Sequence, residues 1–482
     1  MGFSTWLQGK KLFFIGIKGT GMATLACLVK QFGAKVHGSD SPEVFATDTL
    51  LAKAGIEWRS LDESTALPTD TDIVVYSTAY SKDKHPQLIE AVRRRLPLYT
   101  YPEMLARISQ SSTCYGVAGT HGKTTVVGCT ADILRPTGLP CFSLFGASIQ
   151  GGEPYSAKGD SIGILESCEY QEHFLLYTLH GLLVTNIEHD HPDCFPTEES
   201  VYLAFQQLVG QLPLEAFLIC GSDSPLSWRL ASWTRQAYPG KPVFTYGERP
   251  GSDFLLHDYH WSGHESLYQL DPLEGEFNTV LAGKALCLDV IGAGLLGACI
   301  VHETAGTLDR DILFTDAVLP ALLNQASSFP GCSGRLEMLE EARGVLFMDD
   351  YAHHPSQIEA TLESVRSRFP SRRIVVVFSP HTLSRTSTFF DGFARTLSGA
   401  DVLIVQSLYA SARQDGEAHT SGLSISEKLA HAAHGRYAAD DAQVQDILAE
   451  VLHEGDLCIT MGAGNNRGLS TILATHRRSA TC

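Results

Sequence analysis

Residues 115–125 of the 482-residue chain read YGVAGTHGKTT, an apolar run that leads through a glycine-rich turn into a helix predicted to begin near Thr124. Glycines let the backbone N–H groups of such a turn point at phosphate oxygens. Lys123 is placed to reach terminal phosphates, and the Thr124 hydroxyl is placed to bind Mg²⁺. We therefore predict that the ATP phosphates bind to Gly119, Thr120, His121, Gly122, Lys123, Thr124 and Thr125.

This turn differs from the usual phosphate loop at one position. Val117 stands where the pattern G-x-x-x-x-G-K-[ST] has its first glycine, and Gly116 comes one place early. A glycine-rich turn that binds no ligand is therefore the alternative interpretation. A Gly-Lys-Thr sequence at a helix start serves little packing purpose, which favours phosphate binding.

The pattern of apolar runs around this turn predicts an α/β protein of three domains. A chain of this length exceeds one ordinary hydrophobic core. Apolar runs alternate with helical segments throughout, and turn-rich stretches interrupt them near residues 109–113 and 329–334. We place the domains at residues 1–108, 109–329 and 330–482.

Charge and composition exclude several classes of partner. The formal net charge of −18 would repel nucleic acid and anionic membrane surfaces. The 12 cysteines include no Cys-x-x-Cys pair, which indicates reduced thiols instead of a disulfide scaffold or a zinc ribbon. We find no stretch with the ~20 apolar residues that a membrane span needs. A cytoplasmic protein without nucleic-acid or membrane partners is expected.

A second glycine turn follows the first apolar run of the chain. Residues 16–21 read GIKGTG, and Asp40 ends the next predicted strand, as in a dinucleotide-binding fingerprint. Lys18 replaces the middle glycine, so the evidence for a nicotinamide cofactor is weak. A helix N-terminus with a lysine beside it suits any diphosphate. The glycines could also serve only close helix packing.

Acidic and histidine residues follow two strands of the predicted central domain. Because the carboxyl ends of parallel strands meet at one edge of a sheet, these residues should converge on the phosphate loop. A site for metal and phosphate is one interpretation, and solvated loop residues are the other. The residues are Glu166, Glu169, His189, Asp190, His191 and Asp193.

Taken together, these segments resemble the Mur ligase family, the amide-forming enzymes of bacterial cell-wall precursor assembly. The resemblance implies an N-terminal Rossmann-like domain for the UDP part of the substrate, a central ATPase domain of the P-loop type, and a C-terminal Rossmann-like domain. It runs through all three predicted domains, in GIKGTGM (16–22), GSD (38–40), GTHGKTT (119–125), ESCEYQEHF (166–174), TNIEHDHPD (185–193), DDYAHHP (349–355), SPHTLSRT (379–386) and MGAGN (461–465).

The resemblance also implies roles for single residues. Lys123, His354, His381 and Arg385 would serve catalysis, with His354 preferred over His353. Asn186, Asp350 and Tyr351 would contact ATP beside the loop. Thr124 and Glu169 would bind Mg²⁺, and His191 would serve a second metal or the phosphates. The UDP substrate would contact Gly19, Thr20, Gly21, Met22 and Asp40.

Two departures from the family pattern bear on specificity. The central-domain loop that usually reads His-x-x-x-Asn is here Ala285 to Asp289, which puts its adenine contacts in doubt. The lysine that sister ligases carry about fifteen residues beyond His191 is absent from the segment 202–207. This absence favours the branch that joins L-alanine to UDP-N-acetylmuramate. We expect the protein to be a monomer or homodimer.

Three other functions remain as alternatives. Within the family, a recycling ligase would add a whole tripeptide to the same muramate, but SPHTLSRT and GIKGTGM favour L-alanine. A dehydrogenase would explain the first glycine turn but leaves Lys123 and Thr124 without a role. A non-catalytic nucleotide switch would not explain the histidines and arginine beyond residue 350.

Overall fold

The computed structural model describes residues 2–61, 66–408 and 418–463, which form three sheets with helices packed on them. The predicted α/β class is confirmed. The end of the predicted third domain, including Gly464 and Asn465 of the MGAGN segment, lies outside the described residues.

The first sheet is fully parallel, in the order β3-β2-β1-β4-β5. Helix α2 packs its buried face on one side of this sheet, and α4 packs on the other. Its elements are α1 (Ser4–Leu7), β1 (Lys11–Ile15), α2 (Thr20–Gln31), β2 (Lys35–Asp40), α3 (Thr47–Lys53), β3 (Glu57–Ser60), β4 (Ile73–Tyr76), α4 (Pro86–Arg93), β5 (Leu98–Thr100) and α5 (Tyr101–Ser109).

The central sheet has ten strands in the order β15-β14-β13-β12-β11-β10-β6-β9-β7-β8. Its strands are β6 (Thr113–Ala118), β7 (Cys141–Leu144), β8 (Tyr155–Ala157), β9 (Ile162–Glu166), β10 (Gly181–Val184), β11 (Phe217–Gly221), β12 (Val243–Gly247), β13 (Phe254–Trp261), β14 (Ser266–Asp271) and β15 (Glu276–Thr279). The strands from β7 to β13 in this order pair in parallel. Strands β8, β14 and β15 pair antiparallel at the two ends of the sheet.

The helices of the central domain cover both faces of this sheet. They are α6 (Lys123–Leu134), α7 (Glu198–Gln211), α8 (Pro225–Ala237), α9 (Lys284–Ala305), α10 (Ile312–Thr315) and α11 (Val318–Ala326), with 3-10 turns at Arg135–Thr137 and Tyr170–Leu176. One face, with α6, α9 and α11, has its own core. The opposite face shares a continuous core with the first domain.

Helix α9 corrects one sequence prediction. Among the described residues, this 22-residue helix is long and apolar enough to cross a membrane by length and composition alone, with a mean hydropathy of 2.0 in its most apolar window. That window is 78% buried inside the protein, as in a core helix of a globular domain. The segment from Ala285 to Asp289, described above as a loop, forms the first turns of this helix.

The third sheet has six strands in the order β16-β17-β21-β18-β19-β20, and only the β16–β17 pair is antiparallel. Cores on both faces separate it from solvent. Its elements are β16 (Glu337–Ala342), β17 (Val345–Asp350), α12 (Pro355–Arg368), β18 (Ile374–Ser379), α13 (Leu383–Thr388), α14 (Phe390–Leu397), β19 (Val402–Gln406), α15 (Ala418–Ala432), β20 (Arg436–Ala438), α16 (Asp441–Val451) and β21 (Leu457–Gly462).

An aromatic contact joins the first two sheets near the N-terminus. The fully buried Phe3 ring meets Phe32 of the first domain and Phe142 on β7, each at 4.9 Å between centroids and in edge-to-face geometry. Edge-to-face pairs add to the energy of burial. Phe3 therefore ties the first domain to the central one.

We expect Phe3→Ala to lower the free energy of unfolding by about 3 kcal/mol, because it leaves a cavity in the shared core. Urea denaturation followed by fluorescence and circular dichroism measures this. The control Leu203→Ala removes a side chain that is 52% exposed and should change stability by less than about 0.5 kcal/mol. Equal effects of the two substitutions would contradict a structural role for Phe3.

Candidate active site

The phosphate loop between β6 and α6 requires glycine at two positions. Gly119 has φ +130° and Gly122 has φ +84°, values that residues with a Cβ atom rarely adopt. A Cβ atom would also lie 2.0 Å from Thr185 Oγ1 at Gly119, and 2.2 Å from Asp289 Oδ1 at Gly122. The loop is therefore fixed by both conformation and space.

Strand β10 supports this loop through the residues that follow it. The His121 N–H donates to Asn186 Oδ1 at 3.0 Å, and the Thr120 N–H donates to the Asn186 carbonyl at 3.0 Å. The Thr185 hydroxyl donates to the His121 carbonyl. Asn186 thus holds the loop in shape, and its predicted contact with the nucleotide stays a prediction.

Lys123 and Glu169 form a buried ion pair at the loop. Lys123 Nζ lies 3.0 Å from Glu169 Oε2, and it also donates to the carbonyls of Gly119 and Thr120. Burial alone would raise the pKa of Glu169, but the Lys123 charge and the His191 hydrogen bond lower that pKa to about 2. The Glu169 carboxylate therefore stays charged at neutral pH.

Three more oxygen and nitrogen donors lie near this ion pair. The Thr124 hydroxyl lies 3.1 Å from Glu166 Oε1, and His191 Nε2 lies 3.6 Å from Glu169 Oε1. Of the predicted metal ligands, Glu169 and His191 lie together, and Thr124 contacts Glu166, whose charge acts on Lys123 as that of Glu169 does. Glu166 was left out of that predicted set, although it follows β9 as Glu169 does. Carboxylate and hydroxyl oxygens are the donor types that suit Mg²⁺.

A cavity of about 220 Å³ extends from the loop toward the third domain. Its lining includes Arg335, which sequence reasoning did not single out. Asp350 is buried and accepts hydrogen bonds from the Leu336 and Ala352 N–H groups at 2.8 and 2.7 Å. The lining includes His121, Gly122, Thr125, Asn186, Glu188, Ala285, Asp289, Arg335, Asp350, Ser356 and Gln357.

Two further residues that were predicted to contact the nucleotide, Tyr351 and Asp289, differ in burial. Tyr351 is 40% exposed, and the Arg335 guanidinium lies 4.5 Å from its ring centroid. Asp289 is buried on α9 against the loop, and burial raises the pKa of its carboxyl well above the usual value. A neutral carboxyl can both donate and accept a hydrogen bond. Its contact with adenine stays a prediction.

The third domain reaches the central domain through a buried arginine on α13. Arg385 Nε donates to Asp190 Oδ1 at 2.8 Å and Nη2 donates to Asp190 Oδ2 at 3.2 Å, with both side chains 4% exposed. Arg385 also contacts His381 Nδ1 at 3.2 Å and His191 Nδ1 at 3.4 Å. The structure therefore brings His381 and Arg385 to the residues around Lys123.

His354 comes to the same cleft from the start of α12. Its Nε2 contacts the His189 carbonyl at 3.2 Å, and its Nδ1 contacts Ser356 Oγ at 2.8 Å. Burial and the nearby His121 lower the pKa of His354 to about 4. The adjacent His353 points elsewhere, with Nδ1 at 2.7 Å from the Tyr351 carbonyl.

The glycine turn of the first domain opens helix α2, as predicted, but its lysine does not face a ligand. Lys18 is buried, and its Nζ donates to the carbonyls of Ser41 and Glu43 at 3.1 and 2.7 Å. The Asp40 carboxylate accepts from the Lys18 N–H at 2.6 Å. The Lys18 ammonium is therefore bound by carbonyls of its own domain, and diphosphate binding at this turn stays a prediction.

The other residues of this turn lie at the helix N-terminus. Gly19 and Thr20 are exposed, whereas the Met22 side chain packs in the core. A Cβ atom at Gly21 would lie 2.8 Å from Tyr101 Cζ. Burial, followed by the charge of Glu166, raises the pKa of Tyr101. Tyr101 therefore places this turn near the acidic residues of the central domain.

Two contacts between the central and third domains were not predicted from the sequence. Glu188 and Ser356 meet across the two domains at 2.7 Å, and Asp190 pairs with Arg385. Glu188 and Asp190 belong to the TNIEHDHPD segment, so their position after β10 was a usable signal. For Ser356 no sequence signal exists beyond its closeness to the histidine pair.

We expect Arg385→Met to lower the free energy of unfolding by about 3 kcal/mol, because Asp190 would remain buried without a counter-charge. Urea denaturation measures this, and adding Asp190→Leu should recover most of the loss. The control Arg229→Met breaks an ion pair whose side chains are 50% and 53% exposed and should cost less than about 1 kcal/mol. Similar losses from both arginines would refute the buried-pair interpretation.

Comparison with known proteins finds family models that match each of the three domains. Residues 11–113 match the Mur ligase family catalytic domain, residues 117–295 the Mur ligase middle domain, and residues 334–464 the Mur ligase glutamate ligase domain. The UDP-N-acetylmuramate--L-alanine ligase of Treponema pallidum is 36% identical over 474 residues, which cover 97% of this chain and 96% of that protein. The ligase of the same name from Desulfitobacterium hafniense is 34% identical over 462 residues, covering 94% and 97%.

Solved structures share the three-domain fold. A UDP-N-acetylmuramate-alanine ligase from Thermotoga maritima superposes with a TM-score of 0.76 at 21% identity, over 98% of this chain and 100% of that one. A murein peptide ligase from Psychrobacter arcticus gives 0.69 at 19% identity, over 98% and 100%. With full-length relatives above 30% identity and all three domains matched in order, the chain belongs to the Mur ligase family.

Proposed function

We propose that this protein is an ATP-dependent ligase that joins L-alanine to UDP-N-acetylmuramate through an acyl phosphate. One observation carries the proposal: Lys123 and its acidic neighbours share a cleft with Arg385 and His381 of the third domain. The full-length relatives named UDP-N-acetylmuramate--L-alanine ligase support this choice of substrates.

The reaction requires activation of the carboxylate, because a carboxylate and an amine do not condense usefully in water. Transfer of the γ-phosphoryl group from ATP to the muramate carboxylate supplies the leaving group. Lys123 and the N–H groups of residues 119–125 would hold the phosphates and stabilise the charge that develops on them. Thr124, Glu166, Glu169 and His191 would hold Mg²⁺, which neutralises phosphate charge when bound.

The third domain supplies a cation and excludes water. Arg385 is held by Asp190 and points toward His191, so its charge lies beside the proposed phosphate site. The guanidinium can only donate, so His381 Nδ1 accepts its hydrogen bond and carries no proton. The hydrogen bond from Arg385 therefore occupies the Nδ1 lone pair of His381. With this domain in place, an acyl phosphate is shielded from hydrolysis while the alanine amine attacks.

The muramate substrate would enter from the first domain. Gly19 and Thr20 expose the N-terminus of the 12-residue helix α2, where N–H groups favour a diphosphate. Tyr101 lies between this turn and Glu166, so a substrate bound there extends toward the phosphate loop. Met22 would contribute its backbone alone, because its side chain is buried.

We expect Lys123→Ala to lower ligation by much more than tenfold, a loss above ~1.4 kcal/mol in the barrier, because the only lysine of the phosphate loop is removed. Phosphate release with UDP-N-acetylmuramate, L-alanine and ATP measures turnover. The control Lys158→Ala changes an exposed lysine and should keep wild-type turnover.

Loss of Lys123 also leaves Glu169 without its cation, so the unfolding temperature of the variant must be measured beside its activity. A folded Lys123→Ala protein that keeps more than about a tenth of wild-type turnover would refute the phosphate role.

We expect oxygen-18 placed in the muramate carboxylate to appear in released inorganic phosphate, because one carboxylate oxygen leaves with the phosphoryl group. Mass spectrometry of the phosphate measures this. Label found in AMP would indicate an adenylate instead. Label retained wholly in the amide would exclude an acyl phosphate.

A further inference from the structure

A cluster of two histidines and one glutamate spans the boundary between the central and third domains. His121 of the phosphate loop and Glu188 after β10 face His354 at the start of α12. One potential ligand atom from each of the three lies within 4.8 Å of the others. The ligation chemistry described above uses none of these three side chains to transfer a group.

Ser356 Oγ lies at the centre of the cluster, and its single hydrogen cannot bind every acceptor around it. The hydroxyl lies 2.7 Å from Glu188 Oε2, 2.8 Å from His354 Nδ1 and 3.1 Å from His121 Nε2. Because the His189 carbonyl only accepts, His354 Nε2 carries the hydrogen, and Nδ1 of the neutral ring has a lone pair. Two acceptors, Glu188 and His354, therefore compete for the single hydrogen of Ser356.

The neutral state of His354 is consistent with its burial, which lowers its pKa to about 4. On the other side of the cluster, His121 Nδ1 is buried and makes no hydrogen bond in the described part of the chain. The Nδ1 lone pair of His354 and the Glu188 carboxylate thus face the same small volume, and His121 Nε2 faces it from the phosphate loop. A cation at this point would be bound by all three side chains.

The spacing of the donors fits a small tetrahedral ion. His121 Nε2 lies 3.5 Å from Glu188 Oε2, and His354 Nδ1 lies 3.8 Å from the same oxygen. Bonds of about 2.0–2.1 Å in a tetrahedral site put neighbouring ligands roughly 3.4 Å apart. Rotation of Ser356 about one bond and a small inward shift of the rings would complete the site.

The hydrogen bond made by the second ring nitrogen of His354 is also typical of a metal ligand. A ligating histidine usually donates its second ring N–H to a carbonyl or carboxylate, which fixes the tautomer. His354 has this arrangement with His189. Two imidazoles and one carboxylate form a donor set typical of Zn²⁺, whereas Mg²⁺ prefers oxygen ligands.

We propose that His121, Glu188 and His354 form a Zn²⁺ site that joins the third domain to the central one. His121 and Glu188 line the 220 Å³ cavity beside the phosphate loop, and His354 reaches them from the start of α12. Zn²⁺ bound there joins the two domains beside the phosphate loop. Its ligands are different residues from the proposed Mg²⁺ ligands Thr124, Glu169 and His191.

The test uses the full-length, tag-free chain and measures binding directly. Competition for Zn²⁺ with a chromophoric chelator gives the affinity, and Co²⁺ added in place of Zn²⁺ reports the coordination by its visible spectrum. We expect one site per chain with a four-coordinate Co²⁺ spectrum. His354→Asn and the near-isosteric Glu188→Gln should each weaken Zn²⁺ binding by at least about tenfold.

Three control variants test whether Zn²⁺ binds at this site or elsewhere in the protein. Ser356→Ala should keep Zn²⁺ binding, because it removes the competing hydroxyl and no ligand. His264→Asn, at an exposed position, should also keep it. His191→Asn should keep it as well, because that residue belongs to the proposed Mg²⁺ site.

Each variant is first checked by thermal unfolding without metal, so that a misfolded His354→Asn protein leaves Glu188→Gln as the deciding measurement. Zn²⁺ should raise the unfolding temperature of the wild-type protein and of Ser356→Ala, because it binds the folded state. A dissociation constant weaker than about 1 mM would overturn the proposal. Binding that survives Glu188→Gln but is lost in His191→Asn would overturn it too.

Discussion

The buried ion pair between Arg385 and Asp190 holds the third domain against the central one, and the groups that the third domain brings to the cleft depend on it. Asp190 follows β10 at the carboxyl edge of the central sheet, and Arg385 lies on α13, which follows β18 of the third sheet. An arginine and a carboxylate that are both 4% exposed must stay together, because either one alone would be a buried charge without a partner. The pair therefore fixes the distance at which His381 and His354 meet the phosphate loop.

The electrostatics of the cleft explain how a strongly acidic protein handles anions. The net charge of −18 gives no general attraction for phosphate, so attraction has to come from local groups. Lys123, Arg385 and the N-termini of α6 and α2 supply it. Glu166 and Glu169 lie among them, and Lys123 balances part of their charge, so a bound divalent cation would balance the rest.

The parts of the fold and of the candidate site that depend on a local sequence pattern could be predicted from the sequence. The phosphate loop follows from glycines between an apolar run and a helix, and the buried strands from runs such as residues 374–378. The antiparallel strands β14 and β15 were missed, because alternating short strands carry a weak signal. The partners of Lys18, the carbonyls of Ser41 and Glu43, could not be predicted, because the return of the chain brings them to it.

The phosphate loop has a consequence for the kinetics of nucleotide association. Gly119 and Gly122 hold the positive φ angles, and Asn186 holds the loop backbone, through contacts within the protein itself. An arriving phosphate therefore orders no loop, and little conformational entropy is lost on binding. It must instead exchange with the carbonyls of Gly119 and Thr120 for the hydrogens of Lys123. The barrier to association is thus a local hydrogen-bond exchange at one ammonium group, in place of a rearrangement of the chain.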